Sequence, residues 1–442
     1  MFDIAIIGAG PGGYIAAIRA AQLGAKTIII EKDQTGGTCL NRGCIPTKTF
    51  LNTSDKLEEL KKLQKLGIST GEISFDYSKT LKRKDITILK LRKGVENLIS
   101  KNQITLIKAS ATISEDYSLI VADEEKIDCK NLIISSGTEP QNLPNIKRDG
   151  EFILNSDDIL NLQELPKSIL IIGSGAIGIE WSRILNAMGT EVTIIELAPS
   201  LLPTADLSVS EFVEKNFKSQ KIKFYTNTTI EKIEEKTVFL SNGETITPSK
   251  ILFAAGRKPN LDFIKADIKT EKGFISVNTN FQTNKNNIYA IGDVTGKLQL
   301  AHVASHQGIA VVEHILQNKP VNINYNIVPS IIYGKPEIAS IGLREQDISG
   351  EYQKSYFPLS ILGKSLADDE PEGFIKLLSQ NNIIKGAHII SKEASALIHN
   401  FSLPIKDEIP VDNLEHLIFA HPTYAEGIYE AILGLNNKAL HL

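Results

Sequence analysis

The chain has 442 residues, a formal net charge of −4 and 42% apolar residues. That balance excludes a strongly basic nucleic-acid or anionic-membrane binder and supplies several cores, over roughly two to four domains. Three cysteines cannot staple a chain of this size, and no apolar run approaches the roughly 20 residues of a membrane helix. The expectation is a soluble cytoplasmic protein without a targeting segment.

The N-terminal MFDIAIIGAG reads as a strand running into a glycine turn. It begins an internal repeat. Residues 4–31 (IAIIGAGPGGYIAAIRAAQLGAKTIIIE) return at 169–196 (ILIIGSGAIGIEWSRILNAMGTEVTIIE) with a constant offset of 165. Gly8, Gly10, Gly13, Gly24 and Glu31 match Gly173, Gly175, Gly178, Gly189 and Glu196. Each copy reads as strand, G-x-G-x-x-G turn, helix, and second strand ending in glutamate, which is the dinucleotide-binding unit. The glycines give a tight turn, close backbone approach to a pyrophosphate and close helix–strand packing. The helix N-terminus favours the anion, and the glutamate accepts from ribose hydroxyls. Glu196 would repel a 2′-phosphate, and Leu197, Ala198 and Pro199 follow it where an arginine would serve NADP. The second copy therefore reads as an NAD site.

Between the copies lies GGTCLNRGCIPTK (36–48), which holds two of the three cysteines with four residues between them. Half a zinc site lacks its other half, and a structural disulfide is out of place in a reducing cell. A redox-active dithiol beside a dinucleotide site fits better. Residues 51–102 read as two amphipathic helices, with Lys82-Arg83-Lys84 on a solvated face. Cys129, in the strand-like DCKNLII, reads as a buried inert thiol. Residues 230–251 read as one hairpin.

The cysteine segment resembles the active-site segment of the pyridine nucleotide–disulfide oxidoreductases. SSGTEP (135–140), AAGRKPN (254–260), IYAIGDVTG (288–296), LAHVA (300–304), VPSIIYGKPEIASIGL (328–343), EGFIKLL (372–378) and HPTYAE (421–426) follow in that family's order. The resemblance implies an α/β fold with two Rossmann-like domains, glutathione-reductase-like, plus a C-terminal α+β dimerisation domain. Residues 1–140 and 262–327 would bind FAD, 141–261 NAD, and 328–442 would form the interface. FAD would be held by Gly8, Gly10, Gly13, Glu31, Gly37, Thr38, Lys48, Ala111, Ser136, Gly137, Asp293, Ala301 and His302. NAD would be held by Gly173, Gly175, Gly178, Glu196 and Gly256.

The same resemblance makes Cys39 and Cys44 a redox-active disulfide, with Cys39 exchanging with substrate and Cys44 facing the flavin. Lys48 and Glu180 would form a buried ion pair near the flavin. His421, oriented by Glu426, would be the general base acting on the partner chain's cysteines. Within the family, the similarity is to the dihydrolipoamide-oxidising branch. It implies a homodimer that oxidises protein-bound dihydrolipoamide with NAD+ by a ping-pong path. Its partners would be the lipoyl-bearing and peripheral-subunit-binding domains of a 2-oxo acid dehydrogenase complex, or the glycine cleavage system. A glutathione reductase would carry arginines after Glu196 and a tyrosine in place of Ala176. A mercuric reductase would carry further cysteines near the C-terminus. A flavoprotein scaffold would not need Cys39, Cys44, His421 and Glu426 together. The chain is short for the family, mainly at 230–251.

Overall fold

Unbroken apolar runs in the two repeats become strands buried on both faces, as parallel sheets require. The computed structural model describes residues 1–122, 125–142 and 146–442. Strand Phe2–Ile7 pairs in parallel with Thr27–Ile30 on one side and Cys129–Ile134 on the other. Thr105–Ile107 extends the sheet beyond Thr27–Ile30, and Ile288–Ala290 closes its other edge beside Cys129–Ile134. The second repeat builds a sheet of the same design. Ser168–Ile172 lies at its centre, flanked by Glu191–Ile195 and Lys250–Phe253, with Lys223–Tyr225 and Ile153–Leu154 at the edges.

Each central strand runs through a glycine at positive φ, +99° at Gly8 and +95° at Gly173, into a helix. These helices are α1 (Pro11–Gln22) and, in the second unit, Ala176–Ala187. The third glycine of each fingerprint has a packing reason. A Cβ on Gly13 would overlap the Gly8 carbonyl, and one on Gly178 the Gly173 carbonyl. Only glycine lets the helix lie this close to its strand.

The cysteine segment forms two helices, α2 (Gly37–Arg42) and α3 (Cys44–Lys62). A longer helix, α4 (Tyr77–Lys101), is capped by Asp76, whose carboxylate accepts the Ser78 N–H at 3.0 Å. The Ala176–Ala187 helix is α5, and Leu207–Ser219 is α6. Helix α7 (Ala301–Gln317) packs on α1, with Gly308 against the Gly12 carbonyl and Ala16. Residues 330–391 form an antiparallel five-stranded sheet, ordered Ser330–Ile332, Glu337–Gly342, Ile383–Ser391, Phe374–Gln380, Gln353–Pro358. The helix Glu426–Leu435 packs on the last two strands of that order. Among the described residues, no helix is long and apolar enough to cross a membrane.

Three expectations need adjustment. The 230–251 region holds three strands, Ile230–Glu234, Thr237–Leu240 and Thr245–Ile246, because Asn242-Gly243 turns the chain once more, with Gly243 at φ +87°. Lys84 is not on a solvated face. It is 4% exposed, and its ammonium reaches the Leu160 carbonyl at 2.9 Å and Asn161 Oδ1 at 3.1 Å. The first of the two helices expected over 51–102 begins earlier, at Cys44 itself.

Candidate active site

Gly36 and Gly37, at φ +93° and +60°, turn the chain into α2. A Cβ on Gly37 would lie 2.6 Å from the Gly10 Cα, so the cysteine segment abuts the first fingerprint. Asn41 fastens it by donating to the carbonyls of Thr35 (3.0 Å) and Gly37 (2.9 Å). Gly43 then breaks the helix at φ −141°, ψ −109°, so Cys39 ends up on α2 and Cys44 opens α3. A Cβ on Gly43 would crowd the Thr38 carbonyl at 3.1 Å. Both cysteines are half-buried and free, so the pair stands here as the dithiol.

The two thiols differ in acidity. The Cys39–Cys44 hydrogen bond, then burial, pushes Cys39 up. The same bond pulls Cys44 down to about 7; Lys48 adds to the effect and burial opposes it. Cys44 is thus the more acidic thiol of the pair. Its place at a helix N-terminus acts in the same direction.

Lys48 lies one turn along α3 from Cys44. Its ammonium is 2.9 Å from both carboxylate oxygens of Glu180, on α5. Glu180 is 5% exposed and also accepts the Tyr333 N–H at 3.0 Å. The Tyr333 ring sits 4.4 Å from the Lys48 ammonium. The pair joins the two dinucleotide units at the cysteines. Tyr333 was quoted within a motif but given no role. Its backbone donation leaves no mark in the sequence.

His421 Nδ1 lies 2.7 Å from Glu426 Oε1, and Thr423 N–H donates to Glu426 Oε2 at 2.7 Å. Burial raises the Glu426 carboxyl, but these two bonds outweigh it and hold the carboxyl below its ordinary value. The His421 side chain is 78% exposed. With Nδ1 engaged, Nε2 is the nitrogen left to exchange a proton with a group from outside.

The two fingerprint acids are held alike. Glu31 accepts the Ala9 N–H at 2.7 Å and the Asp33 N–H at 2.8 Å. Glu196 accepts the Ser174 N–H at 2.8 Å, the Ser174 hydroxyl at 2.7 Å and the Ala198 N–H at 2.9 Å. Asp293 lies in the turn Gly292–Thr295 and accepts the Thr138 hydroxyl at 3.1 Å; burial raises its carboxyl. Arg257 extends this chain by donating to Thr138 Oγ1 at 2.8 Å. It stands in the quoted AAGRKPN, yet nothing local shows that it would pair across the two units. Ser136 Oγ donates to the Asn260 carbonyl at 2.9 Å, and Gly137 has φ +65° with open space at its Cβ position. Ala301 opens α7 with no side chain capping the helix, and His302 Nε2 lies 3.0 Å from the Pro329 carbonyl. Ala111 opens the strand Ala111–Ile113, beyond Ile107, whose carbonyl accepts the Glu31 N–H at 2.9 Å. Gly256 sits at φ +94° where the strand Lys250–Phe253 has ended.

The donor sets fit two dinucleotides. Helices α1 and α5 start at Gly10 and Gly175 with no side chain capping either N-terminus. A Cβ on Gly10 would meet only Gly37, at 3.8 Å, and one on Gly175 would meet nothing within 4 Å. Free N–H groups at uncrowded helix starts, each with an acid 21 residues past its second glycine, form an anion cradle with a ribose acceptor.

Fold and site together define a dinucleotide-dependent dithiol oxidoreductase. Residues 2–308 match the pyridine nucleotide-disulphide oxidoreductase family, and residues 328–432 match its dimerisation domain. The chain belongs to that family. It is 38% identical over 470 aligned residues to a dihydrolipoyl dehydrogenase of Bacillus subtilis, covering 100% of this chain and 99% of the relative. It is 36% identical to the dihydrolipoyl dehydrogenase of Chlamydia trachomatis, covering 100% and 98%. Among solved structures, LpdA from Mycobacterium tuberculosis superimposes with a TM-score of 0.89 at 24% identity, over 98% of this chain and 99% of that one. The flavoprotein disulfide reductase RclA from Escherichia coli gives 0.86 at 24% identity, over 97% and 99%. At that identity the structural likeness establishes the fold.

Proposed function

We propose that the chain is a dihydrolipoyl dehydrogenase that oxidises protein-bound dihydrolipoamide to lipoamide, with FAD as bound cofactor and NAD+ as acceptor. The observation that carries this reading is the placement of Cys39 and Cys44 between the first fingerprint and the Lys48–Glu180 pair, with Lys48 one helical turn from Cys44. The full-length likeness to dihydrolipoyl dehydrogenases supports the substrate.

Gly8, Gly10, Gly13, Glu31, Gly37, Thr38, Lys48, Ala111, Ser136, Gly137, Asp293, Ala301 and His302 hold FAD. Gly173, Gly175, Gly178, Glu196 and Gly256 hold NAD. Residues 1–140 with 262–327 form the FAD domain, 141–261 the NAD domain and 328–442 the interface domain. Bound FAD would supply the acceptor for the electron pair of the dithiol and the hydride donor to NAD+.

The chain's own residues handle sulfur and protons. His421 of the partner chain takes a proton from one substrate thiol. That thiolate attacks Cys39 of the Cys39–Cys44 disulfide. One S–S bond forms, the old one breaks, and Cys44 leaves as thiolate beside Lys48. The second substrate thiol then attacks the substrate sulfur of the mixed disulfide. This closes the lipoamide ring and releases Cys39. Cys39 keeps one proton as the thiol, Cys44 stays a thiolate, and the remaining proton goes to solvent through His421. The low acidity of Cys39 and the high acidity of Cys44 match the two ends of this exchange.

The dimerisation domain supports a homodimer. Beside His421, Leu417 and Ile418 are 51% and 98% exposed in the single chain, an apolar surface suited to a partner subunit. The further partners are lipoyl-bearing domains and the peripheral-subunit-binding domain of a 2-oxo acid dehydrogenase complex, or the glycine cleavage system. Three cysteines in 442 residues favour a cytoplasmic setting.

The test is NAD+ reduction by the purified holoenzyme with dihydrolipoamide as donor. NADP+, and glutathione disulfide with NADPH, are the comparison reactions. Turnover with dihydrolipoamide and NAD+ alone is expected. Turnover only with glutathione disulfide or NADP+ overturns the substrate and nucleotide assignment.

A further inference from the structure

We propose that Arg183 is a positioning residue for the Lys48–Glu180 pair, acting through the turn Tyr333–Pro336 that it underlies. The inference rests on the reading of Cys44 and Lys48 above. Arg183 follows Glu180 by three residues on α5, so the two side chains share a helix face. It is 5% exposed. Its Nη1 donates to the Pro336 carbonyl at 2.8 Å. Gly334 lies against the guanidinium; a Cβ there would overlap the arginine head, and the residue sits at φ +150°. At the other end of the same turn, Tyr333 gives its N–H to Glu180 and its ring to Lys48. The arginine thus holds one end of a turn whose other end holds the ion pair beside Cys44.

Packing alone would not select this residue. Nε and Nη2 of Arg183 are buried without a hydrogen-bond partner among the described residues. An apolar side chain would avoid that desolvation cost. The charges facing Arg183 are Glu58 and Asp55 on α3, Glu180 on its own helix, and Glu372. Burial lowers the guanidinium to about 10 against these carboxylates, so it stays a cation. Burial, with Glu58 adding to it, raises Asp55 to about 6. What arginine supplies here is a rigid, charged fork beneath the turn. The titratable groups facing Cys44 itself are Cys39, Lys48, Glu180 and the Tyr333 hydroxyl, the last raised chiefly by burial. A displaced turn therefore reaches the thiolate through Lys48 and Glu180.

The test uses the holoenzyme in a Cys39→Ser background and follows the rate of Cys44 alkylation by iodoacetamide against pH. Arg183→Met is expected to raise the midpoint by about half a unit or more. Gly334→Ala is expected to do the same while keeping the charge of Arg183, so its effect reports position. It also decides the matter if Arg183→Met fails to fold. A folded Gly334→Ala variant with a lowered melting temperature and an unmoved midpoint assigns the arginine to structure alone and overturns the inference. If Cys44 in the Cys39→Ser parent already titrates at the ordinary thiol value of about 8.5, its acidity came from Cys39 alone and not from Lys48, and the inference, which runs through Lys48 and Glu180, falls.

Discussion

Cys44, Lys48 and Glu180 stand in a short line, with the Lys48 ammonium between the thiol and the Glu180 carboxylate. Replacing Cys44 by serine removes the more acidic thiol of the pair and the disulfide it forms, so dihydrolipoamide oxidation should be lost while the fold survives. Replacing His421 by glutamine should lower kcat by about 10²- to 10⁴-fold, the usual contribution of a positioned base, with KM for NAD+ unchanged. An unaltered kcat would remove His421 from the site. Glu196 is gripped by Ser174 and Ala198, which fixes its carboxylate; in the proposed NAD site it would repel a 2′-phosphate. Glu196→Ala should reduce the preference for NAD+ over NADP+ by about tenfold, read as the ratio of kcat/KM values. Glu196 and the cysteine pair were legible in residue type and spacing, whereas Lys48, Glu180 and His421 were named only through the family resemblance. The roles of Tyr333, Arg183 and Arg257 were not legible, because they rest on backbone groups and partners far away in the chain.

Elements whose periodicity is strong were readable, and their ends and buried charges were not. The two fingerprint helices follow directly from glycine spacing. The break at Gly43, which separates Cys39 from Cys44, depends on the nearby Thr38 carbonyl and cannot be seen in composition. Lys84 looked solvated because its neighbours Lys82 and Arg83 are exposed, but α4 turns it inward to Leu160. A larger buried charge links α6 to the antiparallel sheet. Lys376 is 2% exposed and sits 2.7 Å from Asp206, itself fully buried, and 2.5 Å from Glu345. Burial pushes Asp206 and Glu345 upward, yet the surrounding bonds prevail. Asp206 is lowered, with His388, the Glu345 N–H and Lys376 responsible, and Glu345 is lowered to about 2 by Lys354, Lys376 and Tyr352. Folded values below the unfolded ones mean that this stability is present above the ordinary carboxylate range. It is lost as pH falls from about 4.5 toward about 2. Lys376→Met should cost about 3–5 kcal/mol in urea unfolding at neutral pH, since it leaves the buried Asp206 without its lysine, with only His388 and backbone N–H groups beside it. Its stability should also depend less on pH in the acid range; a loss below about 1 kcal/mol would show that the cluster is dispensable.

At the scale of the whole molecule, one chain supplies the dithiol, the nucleotide cradles and the exposed His421–Glu426 dyad. The repeat announced two nucleotide units, and the antiparallel sheet behind residues 330–391 was expected only through family resemblance, since its strands carry no chemical motif of their own. The third strand in the 230–251 region was missed because two residues, Thr245 and Ile246, carry too little pattern to read. The central claim is that dihydrolipoamide is oxidised at cysteines of one subunit with the histidine of the other. The most direct measurement mixes Cys39→Ser and His421→Gln chains, each inactive alone, refolds them together with FAD, and assays NAD+ reduction by dihydrolipoamide. Half the dimers are then mixed, and each mixed dimer holds one intact site, so activity should return to about a quarter of the wild-type level. A mixture as inactive as its parents would contradict a site shared between subunits.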